Sequence, residues 1–226
     1  LADAAKGQFA EVVLAAERPL KLYVTYDELR ARELYEDLLS FGADAMFYPA
    51  KDLLFFAADV RSNELSAVRI DVRRRIAECG SGFVVTTIDA LMDKLETPER
   101  FLRRCLRIHA SDRLDLGETA KQLAALGYER SAEVDGRGQF SVRGGILDVF
   151  PVTEETPVRI ELWDDEIDSM RRFDPESQRS TEGLESVHIY PAREELLGGS
   201  DSFLRYFSGD KSLLILDEPA RLLERA

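Results

Sequence analysis

The chain has 226 residues, 45% hydrophobic and 32% charged, which is enough for one large domain or two modest ones with a proper core. Its formal charge of -13 and pI near 4.7 argue against broad phosphate-backbone binding, which needs lysine and arginine clustered on one face. With no long apolar run, no charged-then-apolar leader, and two cysteines (Cys79 and Cys105) at neither metal nor disulfide spacing, neither a membrane span nor a secretion signal is expected, and a reducing cytoplasm is the expected setting.

Opening on Leu1 rather than methionine, the chain reads as a piece of a longer protein. Phe9, Val12, Val13 and Ala16 predict a weakly apolar helix, and Lys21 to Thr25 a short strand. Thr25 followed by Glu28 has the form of a capping box opening a helix that runs to about Leu39. Ala45 to Tyr48 reads as a strand stopped by Pro49, followed by an apolar loop, Leu53 to Phe56. Ser62 is an expected N-cap for a helix with Leu65, Val68, Val72 and Ile76 on one stripe, closed by Gly80 and Gly82. Phe83 to Thr87 is a third strand, and Ile88 to Leu95 a short helix ending near Pro98. Alternating strands and helices signal a parallel sheet covered by helices.

Near residue 105 the pattern changes. Cys105 to His109 predicts a strand, Leu116 to Leu126 one amphipathic helix stopped by Gly127, and Glu133 to Tyr190 a meander of short strands. A run of hairpin strands with a single helix is an α+β unit, so a boundary is expected between Arg104 and Cys105. The expected organisation is an α/β domain over 1–104, an inserted α+β domain over 105–192, and a return to the α/β domain over 193–226. Ser212 to Asp217 (SLLILD) reads as a fully apolar, buried parallel strand of the first sheet, after a short helix around Phe203 to Phe207. Gly198-Gly199-Ser200 has the composition of a flexible or shortened join. The inserted piece is the most acidic, with 10 basic against 18 acidic residues, so its outward arginines stand on a negative background.

The stretch from Gly136 to Phe173 carries the functional signal. Its alternation predicts three strands joined by short turns. In the clearest one, Val158, Ile160 and Leu162 face a core while Arg159, Glu161 and Trp163 point outward. Tryptophan and arginine side by side on an exposed sheet face are enriched at binding hot spots, so Arg143, Arg159, Glu161 and Trp163, with Arg137 nearby, read as a protein-docking surface. On pattern alone the alternative is a set of cross-strand charge pairs on a wet face.

Catalytic constellations are weak. Asp217 and Glu218 after an apolar strand resemble the acidic pair of a nucleotide hydrolase, but the phosphate cradle G-x-x-x-x-G-K-[ST] is absent; Lys6-Gly7-Gln8 lacks its spacing and hydroxyl. Without a cradle, the pair reads as the end of a buried strand leading into a helix. His109 and His188 have no partners at triad or metal spacing, and Asp164, Asp165, Glu166 and Asp168 read as a solvated hairpin turn. No catalytic residue, metal site or cofactor is expected.

The block RGQFSVRGGILDVFP, followed by PVRIELWDDEIDSMRRFD and SQRS, resembles domain 2 of the UvrB-homology module in the version found in bacterial transcription-repair coupling factors. The elements before it (KLYVT, FYPAKDLLFF, VVTTIDALM, ALGYER) and after it (HIYPAREEL, SLLILDEP) fit as well. That resemblance implies a degenerate P-loop-like α/β domain without ATP hydrolysis and an inserted domain that recruits UvrA of nucleotide excision repair, on a surface masked by other domains of the resting parent. By resemblance the parent is an ATP-dependent DNA translocase, and RNA polymerase and DNA are partners only through it. The UvrA-contacting positions carry over as Arg143, Arg159 and the aromatic at Trp163, where the family often has phenylalanine, with Glu161 on the same row. The long helical segment usual between HIYPAREEL and SLLILDEP is mostly missing here. UvrB proper, with an intact phosphate loop and a DNA-wedging hairpin, is the competing type; a purely intramolecular scaffold is the other.

Overall fold

The structure, a computed structural model, describes residues 17–51, 59–194, 198–209 and 212–225. In chain order the first elements are β1 (Leu20–Thr25), α1 (Glu28–Ser40), β2 (Ala45–Tyr48), α2 (Asp59–Cys79), β3 (Gly82–Thr87), α3 (Ile88–Met92), β4 (Lys94–Leu95) and α4 (Pro98–Arg103). There follow β5 (Leu106–His109), α5 (Leu116–Ala125), β6 (Glu129–Arg130), β7 (Gln139–Arg143), β8 (Ile146–Val149), β9 (Val158–Trp163), β10 (Glu166–Phe173), β11 (Ser180–Gly183) and β12 (Ser186–Ile189). The chain closes with β13 (Asp201–Ser202), a 3-10 helix (Phe203–Phe207), β14 (Ser212–Leu216) and α6 (Pro219–Arg225). The described residues group into two compact units: those of Leu1–Leu65, Val72–Glu99 and Gly199–Ala226, and those of Ser66–Asp71 and Arg100–Gly198.

The first unit is built on a parallel four-stranded sheet in the order β14-β1-β3-β2. Strand alternation sorts its side chains. Tyr23, Phe83, Val85 and Ala45 pack with Ala31 and Leu38 of α1 on one face. Leu22, Val24, Val84 and Met46 pack on the other with Val72, Ile76, Ala90, Leu91, Phe203 and Leu222. Helices on both faces of a parallel sheet are the α/β arrangement expected from the alternating pattern.

Several local expectations are corrected. Thr25 is the last residue of β1, paired with Thr87 of β3, so α1 is capped by Asp27, whose carboxylate accepts from the Arg30 N–H at 3.0 Å. The helix expected from Ser62 begins at Asp59. On α2 Val72 and Ile76 of the expected stripe are buried, but Val68 is exposed, whereas Arg69 and Arg73 are fully buried. Buried guanidinium groups persist only when paired. Arg69 Nε meets Glu194 Oε2 at 2.7 Å, and Arg73 lies 3.7 Å from Glu96 while donating to Tyr206 Oη from Nε and NH2 at 3.0 and 2.9 Å. The strand SLLILD does return parallel to β1, but as the edge of the sheet, with Leu214 and Leu216 about half exposed rather than buried. The helix expected over 88–95 stops at Met92 and gives way to β4, which pairs antiparallel with β13. The expected elements at Phe9 to Ala16 and Leu53 to Phe56 lie outside the described residues.

The second unit holds a six-stranded sheet in the order β11-β10-β9-β8-β7-β6, antiparallel except for the β6–β7 pair, and a two-stranded β5–β12 ladder. Its core lies on one face. Phe140, Leu147, Val149, Val158, Ile160 and Met170 pack with Leu123 of α5 and with Ile108, Val187 and Ile189 of the ladder. Tyr128 anchors the interior, donating to the Tyr190 carbonyl at 2.9 Å and accepting from the Val152 N–H at 3.3 Å. Between Gly136 and Phe173 there are four strands, not three, because the Gly144-Gly145 turn folds the first predicted strand into the β7–β8 hairpin. Gly144 takes φ 59°, a backbone conformation glycine adopts at little cost.

Candidate protein-docking face

The face of the six-stranded sheet opposite the core carries the predicted docking residues. Register fixes two rows across it: Ser141, Asp148, Arg159 and Arg171 in one, and Arg143, Ile146, Glu161 and Ser169 in the next. Trp163 lies two residues beyond Glu161 at the end of β9, opposite Glu166, and the two-residue turn Asp164-Asp165 follows it. The acidic turn residues serve this hairpin: Asp164 has φ 60°, and Asp165 and Glu166 pair with Arg113.

Trp163 is 80% exposed, a large apolar surface held at a rigid hairpin end. Nothing in the core explains it. The turn beside it is tightly set, since Leu162 donates its N–H to the Gly145 carbonyl at 2.8 Å, joining the tip of the β7–β8 hairpin to β9.

The two arginines differ. Arg159 has only 16% of its side chain exposed and is clamped to Asp148 by two parallel bonds, Nε to Oδ1 at 2.7 Å and NH2 to Oδ2 at 2.9 Å. Its guanidinium also lies 4.5 Å from the centre of the Phe173 ring and donates to Gln178. Hydrogen bonding to Asp148 raises the Arg159 pKa above its ordinary value. The expectation of a freely exposed Arg159 is therefore corrected: Phe173 packs with Val134 and Phe150 in a small cluster, and that cluster and the Gln178 segment cover much of the guanidinium. Arg143 is half exposed and makes one bond, from NH2 to Asp148 Oδ2 at 2.8 Å. Glu161 accepts from the Ser169 hydroxyl at 2.8 Å. Arg137 is exposed in the loop before β7, off the strand rows, and donates to the Glu154 carbonyl at 2.8 Å.

Asp148 is the group that sequence reasoning missed. Its side chain is 1% exposed, yet it sits on the outward row and serves both arginines. The available signal was an acid in the outward register of ILDV, directly opposite Arg159.

In the first unit, Asp217 follows β14 and is already engaged. Arg30 of α1 pairs with it through Nε and, at 3.2 Å, through NH2; NH1 of the same side chain lies 3.5 Å from Glu218. Thr25 Oγ1 reaches Asp217 Oδ2 at 3.4 Å. Burial, with Asp217 adding to it, raises the Tyr23 phenol well above its ordinary pKa. The charge of Asp217 is thus balanced from within the chain, and Asp27 occupies the N-terminus of α1 where an anion would otherwise sit. His109 and His188 lie on the β5–β12 ladder, and Cys79 and Cys105 are not joined in a disulfide. No helix among the described residues is long and apolar enough to cross a membrane.

Comparison with known proteins adds independent findings. Residues 106–194 match the family described as UvrB interaction domain. The chain is 34% identical over 199 residues to the transcription-repair-coupling factor of Bacillus subtilis (strain 168), covering 87% of this chain and 17% of that protein. It is 32% identical over 195 residues to the protein of the same name from Staphylococcus aureus, in strains bovine RF122 / ET3-1 and USA300 among others, covering 83% of this chain. The chain spans 17% of the length of these relatives.

Proposed function

We propose, from the premise that residues 106–194 belong to the UvrB interaction domain family in a chain related along most of its length to transcription-repair-coupling factors, that this chain is a non-catalytic module that docks UvrA. In a longer parent protein the same face would bring UvrA to stalled RNA polymerase and be masked by other domains at rest. The carrying observation is the exposed indole of Trp163 at the end of β9, on the same outward sheet face as Arg143. An aromatic anchor that a partner buries on binding, flanked by charge, is the usual energetic centre of a protein interface, with charge setting orientation and encounter rate.

Residues 105–192 form the docking domain in this reading, inserted into a degenerate P-loop-like domain made by 1–104 and 193–226. The absence of a phosphate cradle from the sequence and the pairing of Asp217 with Arg30 support a first domain without nucleotide chemistry. Titration of the full chain with purified UvrA tests the proposal. Saturable binding that competes with no other protein in the mixture is expected; no binding at micromolar concentrations would sink it and leave an intramolecular scaffold. Saturable ATP binding would revive a UvrB-type nucleotide function.

A further inference from the structure

The two rows on the outward face contain a third guanidinium that neither the resemblance nor the alternation of β9 singled out. Arg171 lies on β10 directly opposite Arg159, is exposed, and its side chain makes no ion pair or hydrogen bond to any described residue. Like charges directly opposite on a sheet are unfavourable by a few tenths of a kcal/mol. One buried carboxylate, Asp148, serves Arg143 and Arg159 and leaves Arg171 unanswered. The two rows hold three arginines against Asp148 and Glu161, an excess of one positive charge within a piece of chain that has 10 basic and 18 acidic residues.

Arg159 cannot supply that positive character. A guanidinium offers five N–H donors, and Arg159 spends four inside the chain: Nε on Asp148 Oδ1, NH2 on Asp148 Oδ2 and on Gln178 Oε1 at 3.3 Å, and NH1 on the Gln178 carbonyl at 3.2 Å. Gln178 is itself fixed, at φ 58°, with its amide donating to the carbonyls of Val134 at 3.2 Å and Pro175 at 2.8 Å. The fifth donor belongs to a group already covered on one side by Phe173.

Resting on the docking reading above, we infer that Arg171 and Arg143 make the charged contacts to the partner, that Arg159 is a positioning residue held by Asp148 and Gln178, and that the groups met are carboxylates on an acidic protein surface. Charge complementarity commits the face to that occupant. The two contact cations stand on β7 and β10 in adjacent rows, so three strand spacings and a two-residue offset put their backbones about 16 Å apart, with the fixed Arg159 between their strands. A partner would present two acidic side chains at that separation and a pocket for the Trp163 indole.

The test is titration of UvrA with the unaltered full chain and with Arg143→Gln, Arg171→Gln and Arg159→Lys, at low and at moderate salt, with the denaturation midpoint of each. Arg143→Gln and Arg171→Gln should each weaken binding about fivefold or more and flatten its salt dependence, with the midpoint unchanged in Arg171→Gln and lowered less in Arg143→Gln than in Arg159→Lys. Arg159→Lys keeps the charge but loses the fork. It should lower the midpoint while leaving the salt dependence as it was. If the unaltered chain binds UvrA and Arg171→Gln binds equally well with the same salt dependence, the assignment of Arg171 is wrong and the docking reading stands. An unchanged midpoint in Arg159→Lys combined with a loss of binding would make Arg159 a contact after all. Failure of the unaltered chain to bind overturns both readings at once.

Discussion

A Cβ placed on Gly145 would stand 2.9 Å from the carbonyl oxygen of Leu162. The turn of one hairpin is thereby seated on the backbone of the next strand, one residue before the exposed indole. Gly145→Ala must push the two backbones apart, and backbone yields less readily than the end of a flexible side chain. It is expected to cost about 1–3 kcal/mol, read as a lower midpoint in urea, and to weaken partner binding by loosening the tip that carries Arg143. A midpoint equal to that of the unaltered chain would show that the contact relaxes without strain.

Arg159 and Arg143 should separate in stability measurements. Removing Arg159 leaves the buried Asp148 carboxylate with only the half-exposed Arg143, so Arg159→Ala is expected to cost about 2–3 kcal/mol. Arg143→Ala leaves the stronger bidentate partner in place and should cost under about 1 kcal/mol. Equal losses in the two variants would contradict the socket described for Arg159.

Trp163 is the single tryptophan of the chain and is largely in water, so its emission reports on one place only. The free chain should fluoresce like a solvated indole, and saturating UvrA should shift that emission to the blue. Trp163→Ala is expected to reduce affinity by about 1–3 kcal/mol with no change in the unfolding midpoint. Emission that stays unchanged at saturation would place the contact elsewhere.

Tyr128 supplies a pH dependence whose sign follows from its burial. Burial raises its phenol well above the ordinary value, so the folded chain holds this proton more tightly than the unfolded one. The stability tied to it is complete below the unfolded phenol pKa of about 10 and is lost as pH climbs beyond that. Alkaline unfolding should therefore begin above the ordinary phenol range and steepen with pH. Tyr128→Phe, which also removes the donor to Tyr190 and the acceptor for Val152, should flatten that alkaline limb. An identical limb in the variant would assign the effect to other groups, Tyr23 first among them.

Much of the candidate face was legible because strand alternation is a strict rule: Val158 and Ile160 are buried, and Trp163 is open to water, as the period of two requires. The parallel sheet was legible through a different signal, the alternation of strands such as KLYVT and FVVTT with helices and the apolar run SLLIL. What alternation cannot convey is whether an outward residue is subsequently covered. Arg159 is enclosed because Phe173 and Gln178 come over it from later in the chain, and Asp148 is buried by the arginines it serves. On α2 the stripe was legible at Val72 and Ile76, which are buried, but not the burial of Arg69 and Arg73, which go inside because Glu194, Glu96 and Tyr206 await them there. Such pairings join distant positions and leave no periodic trace.

β14 pairs with β1 on one side only, and its Leu214 and Leu216 stand half out of water. A strand edge that no described residue covers, bearing a greasy ridge, is a template for the wrong kind of addition, another copy zipping on. Concentrated stocks of the chain should thus drift toward oligomers, and a lysine set into that ridge is the natural gatekeeper for anyone preparing it.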